Sequence, residues 1–255
     1  MSEPKIYTRN YVDSESVFTL SHGGTPLYAY DRNAATRLVS TGANSDATTV
    51  DIEISFYQGG VAQTRTIDTL ALLNHNLKTW TLYRWDGAAY QSVTSQAADA
   101  LANRVVSFTS FSATKVKLSC SATQTTNAEK AVGEIVLCAL TLDVGSDMTG
   151  YDVRWRERAR EVTLGDGSLH KVFMKDDSGR LGKYEATVRF DYISKATRDL
   201  LKAIRDTGQP FLWQPESVSV PEDLFLVHWA STWSDKYTAT HKGAGYELAI
   251  TVKEV

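Results

Sequence analysis

The feature that most constrains the fold is a change of hydrophobic period within residues 183–209. From Tyr184 to Tyr192 every second side chain is apolar, which predicts a strand with one buried face. Ser194 is a good helix N-cap, and Gly208 followed by Pro210 is a helix stop signal. Between them the apolar residues take helical spacing, and they are Leu200, Leu201, Ala203 and Ile204. We therefore predict a strand that leads into one helix packed on a sheet.

The rest of the chain alternates between short apolar runs and turn residues. Val50, Ile52, Ile54 and Phe56 are spaced to point to one side of a strand, and Asp86-Gly87 is a hairpin signal. Many such runs without a strand–helix–strand rhythm predict a β-sandwich or jelly roll. The predicted fold is mainly β: an N-terminal jelly-roll sandwich, then a C-terminal β-sandwich or barrel with one flanking α-helix.

Two domains are predicted from length and from one polar segment. A chain of 255 residues can form two medium domains. Asp143–Thr149 (DVGSDMT) is the best linker, because it is rich in Asp, Gly, Ser and Thr and lies between two strand-rich parts. We predict a first domain over residues 1–142 and a second over residues 150–255.

Charge and composition exclude some classes of protein. The formal net charge of −3 argues against a nucleic-acid binder that works by overall charge. No apolar run is long enough to span a bilayer, and the N-terminal segment has no apolar signal core, so we expect no membrane insertion and synthesis in a cytoplasm. Cys120 and Cys138 lie in predicted strands and are expected to be buried free thiols.

The most specific local pattern is the segment Asp31–Thr36. Asp31, Asn33 and Thr36 supply hard oxygen ligands around a tight turn, which suits calcium. The same residues also suit a turn that is stabilised only by its own side-chain hydrogen bonds.

Residues 10–142 resemble the discoidin, or galactose-binding-like, jelly roll. The resemblance rests on Ala29–Arg37, on Val50-Asp51-Ile52 and on Gly133-Glu134-Ile135, although Leu38 stands where the family has tryptophan. It implies that Asp31, Asn33, Thr36 and Glu134 share one calcium ion. Calcium is the one cofactor that the sequence suggests, and sugar binding is the function that the family suggests.

Two other polar features allow more than one interpretation. Asn74-His75-Asn76 could contact sugar or take part in catalysis, or it could simply hydrogen-bond loop backbone. No nucleophile context, zinc spacing or phosphate-binding glycine loop is present, so we expect no enzyme. Four arginines alternate along one strand and suit either a solvated face, or a subunit interface or channel lining that meets acidic groups or DNA. They are Arg154, Arg156, Arg158 and Arg160.

The order of elements in the second half resembles the tail-tube and distal-tail domains of long-tailed bacteriophages. That resemblance implies a ring around the tail channel, in which the hairpin at Asp166 and the arginine strand meet neighbouring subunits. The predicted function is a structural component of a phage tail tip or baseplate. Its partners would be other copies of itself and other tail proteins, and DNA would only pass through the channel. The protein would be located in the virion tail.

The alternative from another class is a carbohydrate-binding module that attaches to host or cell-surface glycans. Such a module should show exposed aromatic side chains at loop tips, whereas a ring component should show a long exposed β-hairpin.

Overall fold

The computed structural model describes residues 4–33, 36–143, 148–157, 159–163, 169–173, 182–218, 220–240 and 243–255. In these ranges the chain is mainly β with one α-helix, which confirms the predicted fold class. No helix in the described ranges is long and apolar enough to cross a bilayer. Both cysteines are free and buried, as predicted.

The described residues of the first half form fourteen strands and a short 3₁₀ helix at Pro26–Ala29. The strands are β1 (Lys5–Arg9), β2 (Val17–Leu20), β3 (Leu38–Val39), β4 (Val50–Ser55), β5 (Tyr57–Gln58), β6 (Val61–Ala62), β7 (Arg65–Leu73), β8 (Trp80–Trp85), β9 (Tyr90–Gln96), β10 (Arg104–Ala113), β11 (Lys115–Cys120), β12 (Ala131–Val132), β13 (Glu134–Cys138) and β14 (Leu140–Asp143).

The second half has eight described strands and helix α1 (Lys195–Asp206). The strands are β15 (Met148–Glu157), β16 (Ala159–Thr163), β17 (Leu169–Phe173), β18 (Gly182–Ile193), β19 (Phe211–Gln214), β20 (Phe225–Trp229), β21 (Asp235–Thr240) and β22 (Gly243–Glu254).

Two antiparallel sheets form the first sandwich. One has the strand order β2-β4-β11-β8-β9 and the other has the order β10-β7-β13. A single buried cluster takes Ile54 and Leu118 from the five-stranded sheet and Ile67 and Ile135 from the three-stranded sheet, so the sheets pack face to face. The predicted alternation in β4 is confirmed by its burial pattern.

The second half is built on one eight-stranded sheet. Its strand order is β14-β1-β19-β20-β22-β18-β15, and β21 pairs with β22 outside this path. Because β14 and β15 are its two ends, the described strands form an open sheet, and the predicted option of a closed barrel is wrong. Helix α1 packs Leu201 and Ile204 into the core of this sheet.

Strand β1 joins the two halves. It pairs with β14 on one side and with β19 on the other. Ile6 belongs to the core of the second half, whereas Tyr7 lies in a cluster that contacts both halves and donates a hydrogen bond to Gln214 Oε1 at 2.8 Å. Asp143 ends β14 and Met148 begins β15, while residues 144–147 of the predicted linker lie outside the described residues. The division at 142 and 150 stays a prediction.

The strand–helix unit follows most of its sequence prediction. Ser194 caps α1, because its Oγ accepts the backbone N–H of Thr197 at 3.0 Å. Gly208 ends the helix with a φ of 61°, a conformation that suits glycine. Leu201 and Ile204 are buried on the predicted face.

Two residues of that unit differ from the prediction. Tyr192 was expected on the buried face of β18, but it is 38% exposed and has a φ of 59°, because the pairing with β22 shifts register between Phe190 and Ile193. That irregularity places Ile193 in the core instead. Leu200 was expected on the buried stripe of α1, but it is 43% exposed, because the face in contact with the sheet is narrower than the stripe.

Candidate functional site

The predicted calcium loop forms a hydrogen-bonded corner. Thr36 Oγ1 donates to Asp31 Oδ2 at 2.6 Å, and the backbone N–H of Asn33 donates to Asp31 Oδ1 at 3.0 Å. The backbone N–H of Thr36 donates to the carbonyl of Asn33 at 3.1 Å. These are the contacts of a side-chain-stabilised turn, and they bring the three predicted loop residues together.

Glu134 lies at the same corner, at the start of β13. One of its carboxyl oxygens accepts the backbone N–H of Arg32, and the other, Oε2, is buried without a hydrogen-bond partner among the described residues. Burial, together with the negative charge of Asp31, raises the pKa of Glu134 to about 8. A buried carboxyl with an unsatisfied oxygen suits a proton or a cation.

The chemistry of this corner fits a hard cation. Asp31 and Glu134 offer carboxyl oxygens, and Thr36 and Asn33 offer hydroxyl and carbonyl oxygens of the kind that calcium prefers. In the described part of the chain no group of three or more His, Cys, Asp or Glu side chains could hold a metal. A cation here would therefore depend on the neutral oxygens of the loop as well as on its two carboxylates.

Beside this corner, a cleft of about 430 Å³ lies where the two halves meet. The first half contributes the end of β7, the loop before β10 and the start of β13, and the second half contributes β15 and the segment that leads into β20. The residues that line it include Arg32, Asn74, Asn103, Glu134, Trp155 and Asp223.

Trp155 forms the aromatic wall of the cleft. Its side chain is 51% exposed, and it is the most exposed of the six tryptophans. Its ring makes edge contacts with Tyr184 and Phe225, at centroid distances of 5.7 and 6.1 Å. Those rings are themselves stacked at 3.9 Å, so the indole is held by a rigid aromatic cluster.

Polar groups from both halves face the same cleft. Asn103 Oδ1 accepts the backbone N–H of Asn74 at 2.9 Å, and Asn103 Nδ2 donates to the carbonyl of Glu222 at 3.4 Å. Burial and the neighbouring charges of Glu222 and Glu216 raise the pKa of Asp223. The sequence gives no sign of this arrangement, because its residues come from segments far apart in the chain.

The aromatic cluster expected at loop tips of a sugar-binding module is not found in the described residues of the first half. Tyr28 is the aromatic residue there whose side chain is exposed rather than half-buried or buried. Trp155, the exposed aromatic residue that lines the cleft, belongs to the second half.

The polar corner Asn74-His75-Asn76 hydrogen-bonds mainly to backbone. The Nδ2 of Asn76 donates to the carbonyl of Glu129 at 2.8 Å, and the Nδ1 of His75 accepts the backbone N–H of Leu77 at 3.1 Å. His75 is 3% exposed, and burial lowers its pKa to about 4. These contacts agree with the interpretation that the corner satisfies loop backbone.

The predicted interface residues lie on or near the edge strand β15. Arg154 and Arg156 are exposed, and Arg156 Nε lies 3.6 Å from Glu185 Oε2. Arg160 lies in β16 opposite Val172. Arg158 and Asp166 lie outside the described residues.

Strands β16 and β17 form a two-stranded hairpin. Among the described residues they pair only with each other. Their pairing begins at Ala159↔Phe173, just beyond the last β15–β18 pair, Glu157↔Gly182. This hairpin lies between β15 and β18 in the chain, and its strands have no other sheet partner in the described ranges.

Comparison with known proteins gives matches among solved structures only. No protein-family model and no curated protein matches the chain. A carbohydrate-binding module from Clostridium perfringens in complex with GalNAc-β-1,3-galactose is 17% identical, with a TM-score of 0.41, over 48% of this chain and 94% of that chain. Chitosan-binding module 2 from Paenibacillus sp. IK-5, in complex with chitotriose, is 20% identical, with a TM-score of 0.40, over 48% and 95%.

A family 32 carbohydrate-binding module of Clostridium perfringens NanJ, in complex with galactose, is also similar. It is 14% identical, with a TM-score of 0.42, over 53% of this chain and 98% of that chain. Each of these three modules resembles about half of the chain. A phage-tail-like second half stays a prediction.

Proposed function

We propose that this chain is a carbohydrate-binding protein without catalytic activity, and that it binds a short glycan in the cleft between its two halves. The observation that supports this proposal most is the exposed indole of Trp155, fixed in a cleft that polar residues from both halves also line. This function is the alternative that the discoidin-like resemblance of the first half suggested.

The composition of the cleft suits a sugar. A sugar ring has apolar C–H faces that stack on an aromatic side chain, and hydroxyl groups that need hydrogen-bond partners. Trp155 offers the aromatic surface, while Asn103 and Asp223 offer amide and carboxyl groups. A volume of about 430 Å³ lies within the usual range of small-ligand sites.

Calorimetric titration with neutral, amino and uronic mono- and disaccharides tests the proposal. Binding of at least one of these sugars is expected, and Trp155→Ala should weaken it by about tenfold or more, as expected for a central aromatic contact. Tyr237→Ala is the matched control, because Tyr237 is a 62% exposed aromatic that does not line the cleft. The proposal is wrong if no sugar binds, or if both variants bind as tightly as the unaltered chain.

A second candidate function is a ring-forming component of a phage tail tip or baseplate. Two observations favour it: among the described strands β15 pairs on one side only and carries the exposed Arg154 and Arg156, and the β16–β17 hairpin pairs with no other described strand. A ring closes when two different patches on neighbouring subunits meet with a fixed rotation. Charges such as these arginines would set the register of that contact. Asp166 at the hairpin, with Arg158 and Arg160, would contribute to the same contact.

Immunogold labelling of phage particles from a lysate that contains this chain tests the second candidate. Label at the tail tip is expected, and replacing residues 159–173 with a short glycine–serine linker should prevent incorporation. Label on the capsid, or none on particles, would reject the tail assignment. Sugar binding would not be affected by that result, so the two functions can be judged separately.

A further inference from the structure

Arg32 connects the candidate cation corner to the second half of the chain. Its backbone N–H donates to Glu134, and its Nη2 donates to Oε1 of Gln209 at 2.6 Å. Gln209 is held in turn, because its backbone N–H donates to Thr207 Oγ1 at 3.2 Å just beyond α1. A chain of direct contacts therefore runs from the first sandwich to the C-terminal end of the helix.

Arg32 and Glu134 also form the wall between two depressions. Both residues line the cleft that contains Trp155, and both line a groove of about 530 Å³ that contains Asp31 and Gln209. A shift of this wall changes the shape of the cleft. The cation corner and the proposed glycan site are thus built from shared residues.

Among the described residues, one buried carboxyl oxygen at the corner has no hydrogen-bond partner. Glu134 is 3% exposed, and its Oε2 makes no hydrogen bond. Arg32 beside it has a φ of 61°, which costs free energy in a non-glycine residue unless the surrounding contacts hold it. A divalent cation between Asp31 and Glu134 would satisfy the unpaired oxygen and would hold the Arg32 backbone in that conformation.

We infer that a divalent cation bound by Asp31 and Glu134 regulates the glycan cleft, and that Arg32 transmits its effect through Gln209. This inference rests on the proposed glycan-binding function. Without the cation, the buried Oε2 of Glu134 has no partner among the described residues, which favours displacement of the loop and release of Gln209. With the cation, the Arg32–Glu134 wall is fixed and the cleft is preformed. Arg32 is in this sense a positioning residue.

The test compares chelator-treated protein with the same protein in excess calcium chloride. Three quantities are measured: the melting temperature, acrylamide quenching of Trp155 (taken as the difference from Trp155→Phe), and the Kd of the sugar found by titration. In the unaltered chain calcium should raise the melting temperature, change the quenching and tighten sugar binding by at least about fivefold.

Gln209→Ala should separate these effects. The variant keeps the corner intact, so calcium should still raise its melting temperature, but the changes in quenching and in Kd should be lost. Arg32→Ala should behave in the same way. The matched control is Arg205→Ala, on the last turn of α1, which should respond to calcium as the unaltered chain does.

The other outcomes are also decisive. If calcium leaves the melting temperature unchanged, the cation corner is rejected and the inference with it. If calcium raises the melting temperature but leaves quenching and Kd unchanged, the coupling is wrong and glycan binding stands. If no sugar binds but quenching responds to calcium in a way that depends on Gln209, the conformational link is supported and the proposed function fails.

Discussion

The backbone N–H of Arg32 donates to the carboxyl of Glu134, 102 residues further along the chain. This bond joins the Asp31–Thr36 loop to the start of β13, while the second oxygen of the buried carboxyl has no partner in the part of the chain that the structure describes. The stability of the first sandwich should therefore depend on what satisfies that oxygen.

Calcium should stabilise the folded chain. At about a hundredfold excess over Kd, a ligand that binds only the folded state adds about 2.7 kcal/mol, which corresponds to a rise of about 5 to 10 °C in melting temperature. Asp31→Ala should abolish the rise, and Asp206→Ala, at the exposed end of α1, should keep it. Calorimetry of the variants with calcium and with chelator measures these melting temperatures. If the unaltered chain has the same melting curve in both conditions, the loop is a turn that binds no cation.

The two adjacent leucines of α1 should respond differently to truncation. Leu201 is fully buried, so Leu201→Ala should cost about 2 to 5 kcal/mol through lost contacts and a cavity. Leu200 is 43% exposed, and Leu200→Ala should cost less than about 1 kcal/mol. Urea unfolding of both variants gives the two values. Similar losses in the free energy of unfolding at both positions would contradict the assignment of the Leu201 face of α1 to the sheet.

His75 should make the stability depend on pH. Burial lowers its pKa from 6.5 to about 4, so between these values the unfolded chain binds a proton that the folded chain does not. Above pH 6.5 the histidine is neutral in both states and does not lower the free energy of unfolding. As the pH decreases from 6.5 towards 4, protonation of the unfolded chain lowers the free energy of unfolding by about 3 kcal/mol. His75→Asn, which keeps an acceptor for the N–H of Leu77, should flatten this slope.

Leu77→Ala is the control for the histidine. It removes a fully buried side chain beside His75 and should lower stability by a similar amount at every pH, because leucine has no titrating group. The measurement is urea unfolding at intervals from pH 4 to 8. An unchanged slope in His75→Asn would contradict the assignment.

Gly245 should not tolerate a side chain. A Cβ at this position would lie 2.6 to 2.7 Å from backbone atoms of Tyr192, where the β18–β22 register is irregular. Gly245→Ala should therefore cost about 1 to 3 kcal/mol. At Gly150 a Cβ would meet nothing within 4 Å, so Gly150→Ala should change stability by less than about 0.5 kcal/mol. A harmless Gly245→Ala would mean that the two strands lie further apart.

Fragments cut in the predicted linker should stay together. Cleavage within residues 144–147 leaves β1 and β14 on one fragment, but β1 pairs with β19 on the other. The fragments should therefore co-elute in gel filtration and separate only in denaturant. Separation in native buffer would show that the β1–β19 pairing contributes little.

The features that sequence reasoning found are local. Ser194, Gly208 and the alternation of Val50 to Phe56 each depend on the conformation of a few neighbouring residues, and the structure has all three. The loop at Asp31 is of the same kind, since most of its hydrogen bonds are internal.

The features that it missed depend on distant partners. In the sequence Trp155 stands between Arg154 and Arg156, and only the fold, which brings Asn103 and Phe225 to the same cleft, makes it part of a site. The exposure of Tyr192 depends on a register shift against β22, which no local pattern records. The pairing of Lys5 with Gln214 likewise cannot be read from either segment alone.

The position of β1 has a consequence for how the chain is made. Tyr7 leaves the ribosome 207 residues before its hydrogen-bond partner Gln214. At usual synthesis rates that delay is roughly 10 to 40 s. During this delay β1 lacks β19, the strand with which it pairs in the finished sheet. A row of its backbone N–H and C=O groups is then free to pair with other chains. Slow translation or crowded expression should therefore favour aggregates that begin at this strand, even if the first sandwich has already folded correctly.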